Sequence, residues 1–235
     1  MEALVDGDII LYRCAASAEN DSLDIAKARV NELLDQVLEA VGATSYRFFL
    51  SGKKNFRKSI YPEYKANRTQ PKPIHLSPLR EWACEELSGE ISERELEADD
   101  YLGIYQDKVE GSTIICSLDK DLLIIPGNHY QWQIGTSKWT KDAKRFYQTE
   151  IEGLRLFYEQ CLKGDKADNV KGVAGLGDAK ARKLLADCTT EKEMLDVVLS
   201  KYSHEDEFLM NAQCLWILQG FDDFYLERYD GLRLR

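Results

Sequence analysis

The residues best suited to chemistry in this chain are carboxylates. Asp6 and Asp8 follow the apolar run Ala3-Leu4-Val5, Glu97, Asp99 and Asp100 stand together, Asp119 and Asp121 close the run from Ser112 to Ser117, and Asp165 and Asp168 lie between glycines. Asp119 and Asp121 are two apart, so extended backbone points both side chains the same way. Two of Glu97, Asp99 and Asp100 can reach inward from the first turn of a helix, and Asp165 and Asp168 share a face if their segment is helical. Crowded like charges are unfavourable unless something neutralises them. Divalent cations do so most simply, and an all-oxygen set selects Mg2+ or Mn2+ over zinc. Any one pair alone reads more readily as solvated surface or a helix cap. Their shared place at the ends of strands and starts of helices carries the metal reading.

A second group is cationic. Over 53–78, Lys53, Lys54, Arg57, Lys58, Lys65, Arg68 and Lys72 gather with Tyr61 and Tyr64 against one acid, Glu63, and Pro71, Pro73 and Pro78 close the segment. By itself this is a solvated loop. Beside a metal centre it supplies charges for phosphate and rings for stacking, as a single-stranded nucleic-acid site needs. On a helix Lys65 and Arg68 lie one turn apart and reach the same phosphate, Arg as a planar fork and Lys as a point charge. Gly172, Gly175 and Gly177 allow either an ordinary helix-helix turn or backbone amides presented to a phosphate at a helix start.

These residues must be positioned by a scaffold. Residues 3–5 and 112–117 read as buried strands ending in acids, and Tyr46 to Leu50 reads as a strand stopped by Ser51-Gly52 without one. Residues 23–41 repeat apolar positions at a period near 3.6, an amphipathic helix. Further helices are expected over 78–87 and from Glu97. Strands alternating with helices imply a largely parallel sheet with helices on both faces, and ligands bind outside the carboxyl ends of such strands. From about residue 150 the pattern turns helical, with helices over 151–162 and 178–186. The aromatic tail after Ser203 reads as packing against the core.

The chain has 235 residues, enough for a core at 1–150 and an appended helical part at 151–235. Its net charge of −10 argues against a nucleic-acid partner unless bound cations reverse the field locally. The six cysteines show no zinc spacing, no apolar run could span a bilayer, and the start lacks the plan of a signal peptide, so a soluble, unexported protein is expected.

The stretches VDGDIILYR (5–13), FRKSIYPEYKANR (56–68), EADD (97–100), SLDKDLL (117–123) and GDKADNVKGVAGLGDAKARKLL (164–185) together resemble the flap endonuclease and 5′-3′ exonuclease superfamily. The likeness is strongest to compact bacteriophage 5′-nucleases and the 5′-nuclease domain of bacterial DNA polymerase I. It implies an α/β fold: a PIN-like (Rossmann-like), mostly parallel sheet flanked by helices, with a helical arch at 53–78 and a C-terminal helix-two-turn-helix lobe at 164–185 that holds duplex DNA and often K+. Matched position by position, Asp6, Glu97, Asp99, Asp100, Asp119, Asp121, Asp165 and Asp168 are metal ligands. Lys65 and Arg68 engage the scissile phosphate, and Arg13, Arg57, Tyr64, Gly172, Gly175 and Gly177 bind DNA. The implied activity is two-metal hydrolysis of DNA at 5′ ends, flaps and nicks, with RNA-DNA hybrid open, by a monomer in a bacterial host's cytoplasm. Many relatives carry an aspartate where this chain has Ser51-Gly52, which removes a ligand and makes Asp8 a candidate substitute. A PIN-type ribonuclease and a non-catalytic binder of branched DNA are the alternatives.

Overall fold

The computed structural model describes residues 1–107, 111–136 and 139–234. Strand β1 (Glu2–Asp6) runs straight into helix α1 (Gly7–Ser17) because Asp6 caps that helix, its carboxylate accepting the Ile9 amide at 3.1 Å. Helix α2 (Leu23–Val41) turns Ala26, Val30, Leu34, Val37 and Val41 inward, is capped by Ser22 and stops at Gly42 in the left-handed region. Strand β2 (Ser45–Leu50) is followed by α3 (Arg57–Ile60), α4 (Leu76–Glu86), β3 (Glu90–Ile91) and α5 (Ala98–Tyr105). Next come β4 (Thr113–Cys116), a 3-10 turn (Asp121–Ile124), β5 (Gly127–Gln131), the hairpin β6 (Ile134–Thr136) and β7 (Trp139–Lys141), and β8 (Lys144–Gln148). The remainder is α6 (Glu150–Lys163), a two-residue hairpin of β9 (Gly164–Asp165) and β10 (Val170–Lys171), α7 (Asp178–Leu185), α8 (Glu191–Leu199), α9 (Glu205–Leu215) and α10 (Tyr225–Arg233).

The main sheet has the order β3-β2-β1-β4-β5-β8, parallel throughout except for the antiparallel edge strand β8. Alternation along β1 divides the apolar side chains between two layers. Ala3 and Val5 join Phe48, Leu50, Ile114 and the inner faces of α1, α2 and α4. Leu4 joins Phe49, Ile115, Leu102 and the helices from α6 to α10. Helices α6 to α10 therefore share one core cluster with the sheet; Phe157, Trp216 and Tyr225 meet in its middle, Phe157 edge-on to Trp216 with ring centroids 5.0 Å apart.

Two expectations change. The basic segment is not a continuous helical arch: within 53–78 only Arg57–Ile60 and the start of α4 at Leu76 are helical, and 62–67 is a series of turns. Lys65 has φ 57°, which breaks the helix that would have stacked it over Arg68. Asp165 and Asp168 are likewise on the β9–β10 hairpin and its turn, not on a helix.

Candidate metal centre

The parallel strands deliver the acids to one end of the sheet. Asp6 is the last residue of β1, buried, and accepts from the Ser117 hydroxyl at 2.6 Å just past the end of β4. The same Ser117 oxygen accepts the Asp119 amide, and Asp119 Oδ1 in turn accepts the Asp121 amide, so a tight turn folds both acids back toward Asp6. Asp99 enters from the first turn of α5. Burial pushes the Asp6 carboxyl up to about 7; the Ser117 hydrogen bond pulls it down, and the Asp8 and Asp119 charges push further up. Burial, then the charges of Asp6 and Asp119, hold Asp99 well above its ordinary value. Asp121 is raised to about 6 by burial and Asp119, with Lys120 opposing. Asp6 and Asp99 thus repel each other and Asp119, and Asp119 repels Asp121, in one half-buried cleft, the situation a hard cation relieves.

Around this cluster the chain's own cations sit on the outer acids. Lys65 Nζ donates to Glu97 Oε1 at 2.5 Å and lies 3.8 Å from Asp168. Arg68 Nη2 donates to Asp168 Oδ1 at 2.6 Å, and Lys120 bridges Asp165 (2.9 Å) and Asp121 (3.2 Å). Burial alone would raise Glu97, but Lys65 and Arg57 bring it down to about 2. Among the described residues, no three His, Cys, Asp or Glu side chains converge closely enough to hold an ion as they lie. The lysines hold the acids they bridge, and the donor set, all carboxylate, suits Mg2+ or Mn2+ if those side chains move off.

Several assigned residues are placed otherwise than expected. Asp100 is 0 % exposed and clamped by Arg57, Nη1 to Oδ2 at 2.9 Å and Nη2 to Oδ1 at 2.7 Å, with the Glu97 and Leu218 amides on its other lone pairs. No oxygen is left for a metal, so Asp100 is a brace. Arg57, 2 % exposed, also donates to the Cys214 and Trp216 carbonyls, which withdraws it from DNA. Tyr64 is buried rather than presented for stacking; its hydroxyl lies between Asp168 (2.8 Å) and Glu97 (3.1 Å). Arg13 is exposed on α1, about 10 Å along the helix from Asp6, and lines a hollow with Ser17, Arg29 and Glu32. Asp8 acts on Asp6 through its charge, but its oxygens are engaged elsewhere: it pairs with Arg80 and accepts the Ser51 amide at 2.9 Å. Ser51 holds the start of α5, its hydroxyl accepting the Ala98 amide at 2.9 Å. Gly172 meets Gly164 so closely that a Cβ would lie 2.2 Å from its nitrogen, and Gly175 has φ 77°; Gly177 precedes α7 in open space.

Arg80, Ser117, Lys120 and Gln160 were not singled out in the sequence. Ser117 and Lys120 flank Asp119 and could have been found by proximity. Nothing in the sequence ties Arg80 to Asp8 or Gln160 to Asp121, because both pairs form only in three dimensions.

Residues 2–152 match the family model described as the 5′-3′ exonuclease, N-terminal resolvase-like domain. The chain is 30 % identical over 249 positions to a 5′-3′ exonuclease of Bacillus subtilis (strain 168), covering 96 % of this chain and 80 % of that protein. Flap endonuclease Xni of Shewanella sp. (strain MR-4) is 26 % identical over 77 % of this chain and 73 % of its own length. DNA polymerase I of Caldicellulosiruptor bescii is 30 % identical over 81 % of this chain, which spans only 25 % of the polymerase. In fold, the chain is similar to a bacteriophage T5 flap endonuclease solved with DNA and metal ions, at TM-score 0.68, 16 % identity and coverage of 91 % and 88 %. The catalytic core of Rad2 in complex with DNA substrate gives TM-score 0.52 at 14 % identity, covering 98 % of this chain and 77 % of that one.

Proposed function

The chain belongs to the 5′-3′ exonuclease family of metal-dependent nucleases, and from that premise we propose that it cleaves DNA phosphodiester bonds at 5′ ends, flaps and nicks with two divalent cations. The observation that supports this best is the crowding of Asp6, Asp99, Asp119 and Asp121 where β1 and β4 end, with burial and mutual repulsion raising three of them. Asp6, Asp99 and Asp119 would hold one ion and Asp121, Asp165 and Asp168 the other, with Glu97 available as a further ligand once Lys65 moves off it. Bound there, Mg2+ or Mn2+ supplies Lewis-acid stabilisation of an in-line attack by water on the phosphate.

The chain's own groups do the rest. Ser117 orients Asp6, and the Arg57–Asp100 brace fixes the first turn of α5 and so aims Asp99. Lys65 and Arg68 already sit on carboxylates, and a phosphate oxygen offers the same charge-assisted acceptor. On exchanging Glu97 and Asp168 for substrate they would stabilise charge as it shifts on the phosphate. The turn before α7 presents amides near Gly175 and Gly177 to duplex phosphate. Its Gly175 carbonyl accepts from the Lys180 ammonium at 2.9 Å, and K+ would bind there in place of that ammonium. Among the described residues no helix is long and apolar enough to cross a membrane; cleavage of DNA would suit the cytoplasm of a bacterial host.

Cleavage of 5′-labelled flap, nicked duplex, RNA-DNA hybrid and single-stranded RNA, with Mg2+ or with chelator, tests the proposal. Release of short 5′ products from flap and nick, only with Mg2+, is expected. Preference for single-stranded RNA would favour the PIN-type ribonuclease instead. One observation favours a non-catalytic flap binder, namely that Ser51 and the Arg80-paired Asp8 stand where a further ligand is usual. Flap binding without cleavage at any Mg2+ or Mn2+ concentration would select it.

A further inference from the structure

Helix α6 buries Phe157, Tyr158, Cys161 and Leu162, yet two polar side chains in the same stretch, Glu159 and Gln160, are buried too. Gln160 is 6 % exposed and lines the carboxylate cleft with Asp99, Asp119, Asp121 and Asp168. Its Nε2 donates to Asp121 Oδ1, and its Oε1 is buried without a hydrogen-bond partner. Chemistry fixes this orientation, because an ionised carboxylate only accepts and the amide must turn its NH2 toward it. The carbonyl oxygen is then obliged to face away from Asp121. Buried polar atoms are almost always matched, so an acceptor without a donor inside a cleft of acids asks for an explanation.

We propose that Gln160 is a positioning residue of the metal centre, its NH2 holding the Asp121 carboxylate and its Oε1 accepting a hydrogen bond from water carried by the cation that Asp121 binds. The inference rests on the metal-centre reading above. Both donors that reach Asp121, Gln160 Nε2 and Lys120 Nζ, meet Oδ1, which leaves Oδ2 for the cation. Lys120 is largely exposed and free to swing away, whereas Gln160 is anchored in the core through α6. Gln160 is therefore the donor that stays. A partner of this kind fixes the orientation of a ligand, and its loss typically weakens metal binding about 10–100-fold.

The test is Mn2+ titration of the whole DNA-free chain followed by electron paramagnetic resonance, with urea unfolding alongside. Gln160→Met keeps the length of the side chain and removes both donor and acceptor. It should bind Mn2+ about 10–100-fold more weakly, raise the Mg2+ needed for half-maximal cleavage in proportion, and leave the metal-free urea midpoint unchanged or higher. Gln160→Glu keeps an acceptor beside Asp121 and adds charge, so it should bind Mn2+ at least as tightly as the unaltered chain. Unchanged Mn2+ affinity in Gln160→Met with a lower urea midpoint would mark the residue as structural and overturn the proposal. A tenfold loss of Mn2+ affinity in Gln160→Glu would overturn it as well, even if the Met variant does not fold. If the unaltered chain takes up no Mn2+ at millimolar concentration, the metal-centre reading fails and this inference with it; if it binds and Gln160→Met binds equally, only the Gln160 assignment fails.

Discussion

Two neighbouring aspartates of α5 have opposite physical roles. Asp100 faces Arg57 in a dry, bidentate pair, while Asp99 faces other acids. Removing one partner of a buried pair leaves an uncompensated charge, so Asp100→Asn and Arg57→Ala should each cost about 3–5 kcal/mol in urea unfolding. Asp99→Asn removes a repelling charge instead. It should leave the metal-free chain as stable or more so, and lower flap cleavage by more than about 100-fold through loss of a metal ligand. A large stability loss at Asp99 with normal cleavage would reverse these assignments. The sequence makes EADD conspicuous as a cluster, but not the division of labour within it. That division is set by Arg57, 43 residues away, whose burial no local pattern announces.

At the scale of elements, turns 61–68 form a clasp on the β9–β10 hairpin. The Lys65 amide donates to the Asp168 carbonyl, Asn67 Nδ2 to the Lys166 carbonyl, Arg68 Nε to the Ala167 carbonyl, and Asn169 Nδ2 back to the Glu63 carbonyl. The clasp carries both cations to the cleft, while the turn proposed to bind duplex lies between β10 and α7. Lys65→Ala should therefore lower single-turnover cleavage of a flap by about 100-fold while duplex affinity, measured by fluorescence anisotropy, stays within about threefold; lost affinity with unchanged chemistry would place Lys65 in binding instead. Helices α2 and α6 were legible because apolar spacing alone specifies them, α2 over the whole of Leu23–Val41. The clasp was not, because its backbone follows long-range contacts rather than periodicity, and a left-handed Lys65 has no sequence signal. Strand β5 offers a separate check on stability. His129 is buried, and burial holds its imidazole below its ordinary value, with the Ile125 carbonyl opposing. The unfolded chain then takes up the proton first, so stability present above about pH 6.5 is lost as pH falls toward the lower folded value. His129→Gln should flatten that part of the thermal midpoint's pH profile; an unchanged slope would place its cause elsewhere.

Taken whole, the molecule is a sheet between two helical layers, and the C-terminal helices supply most of one layer. The alternation of strands and helices made the α/β class legible, and with it the carboxyl ends of β1 and β4 as the place where the acids gather. The sharing of one core by both halves could not, since aromatic residues such as Trp216 and Tyr225 declare their partners only in the folded chain. Residues 1–150 produced alone should accordingly expose the Leu4, Phe49 and Leu102 face and fail to give a cooperative unfolding transition, whereas the full chain gives one. Architecture and chemistry meet at one point: acids gathered by parallel strands cleave a 5′ flap with divalent cations. Single-turnover cleavage of a 5′-labelled flap across a Mg2+ titration tests it most directly. No product in chelator and a rate that rises more steeply than the first power of Mg2+ before saturating is the expected result. Cleavage that persists in chelator, or a flap that is bound yet intact at every Mg2+ and Mn2+ concentration, would contradict the account.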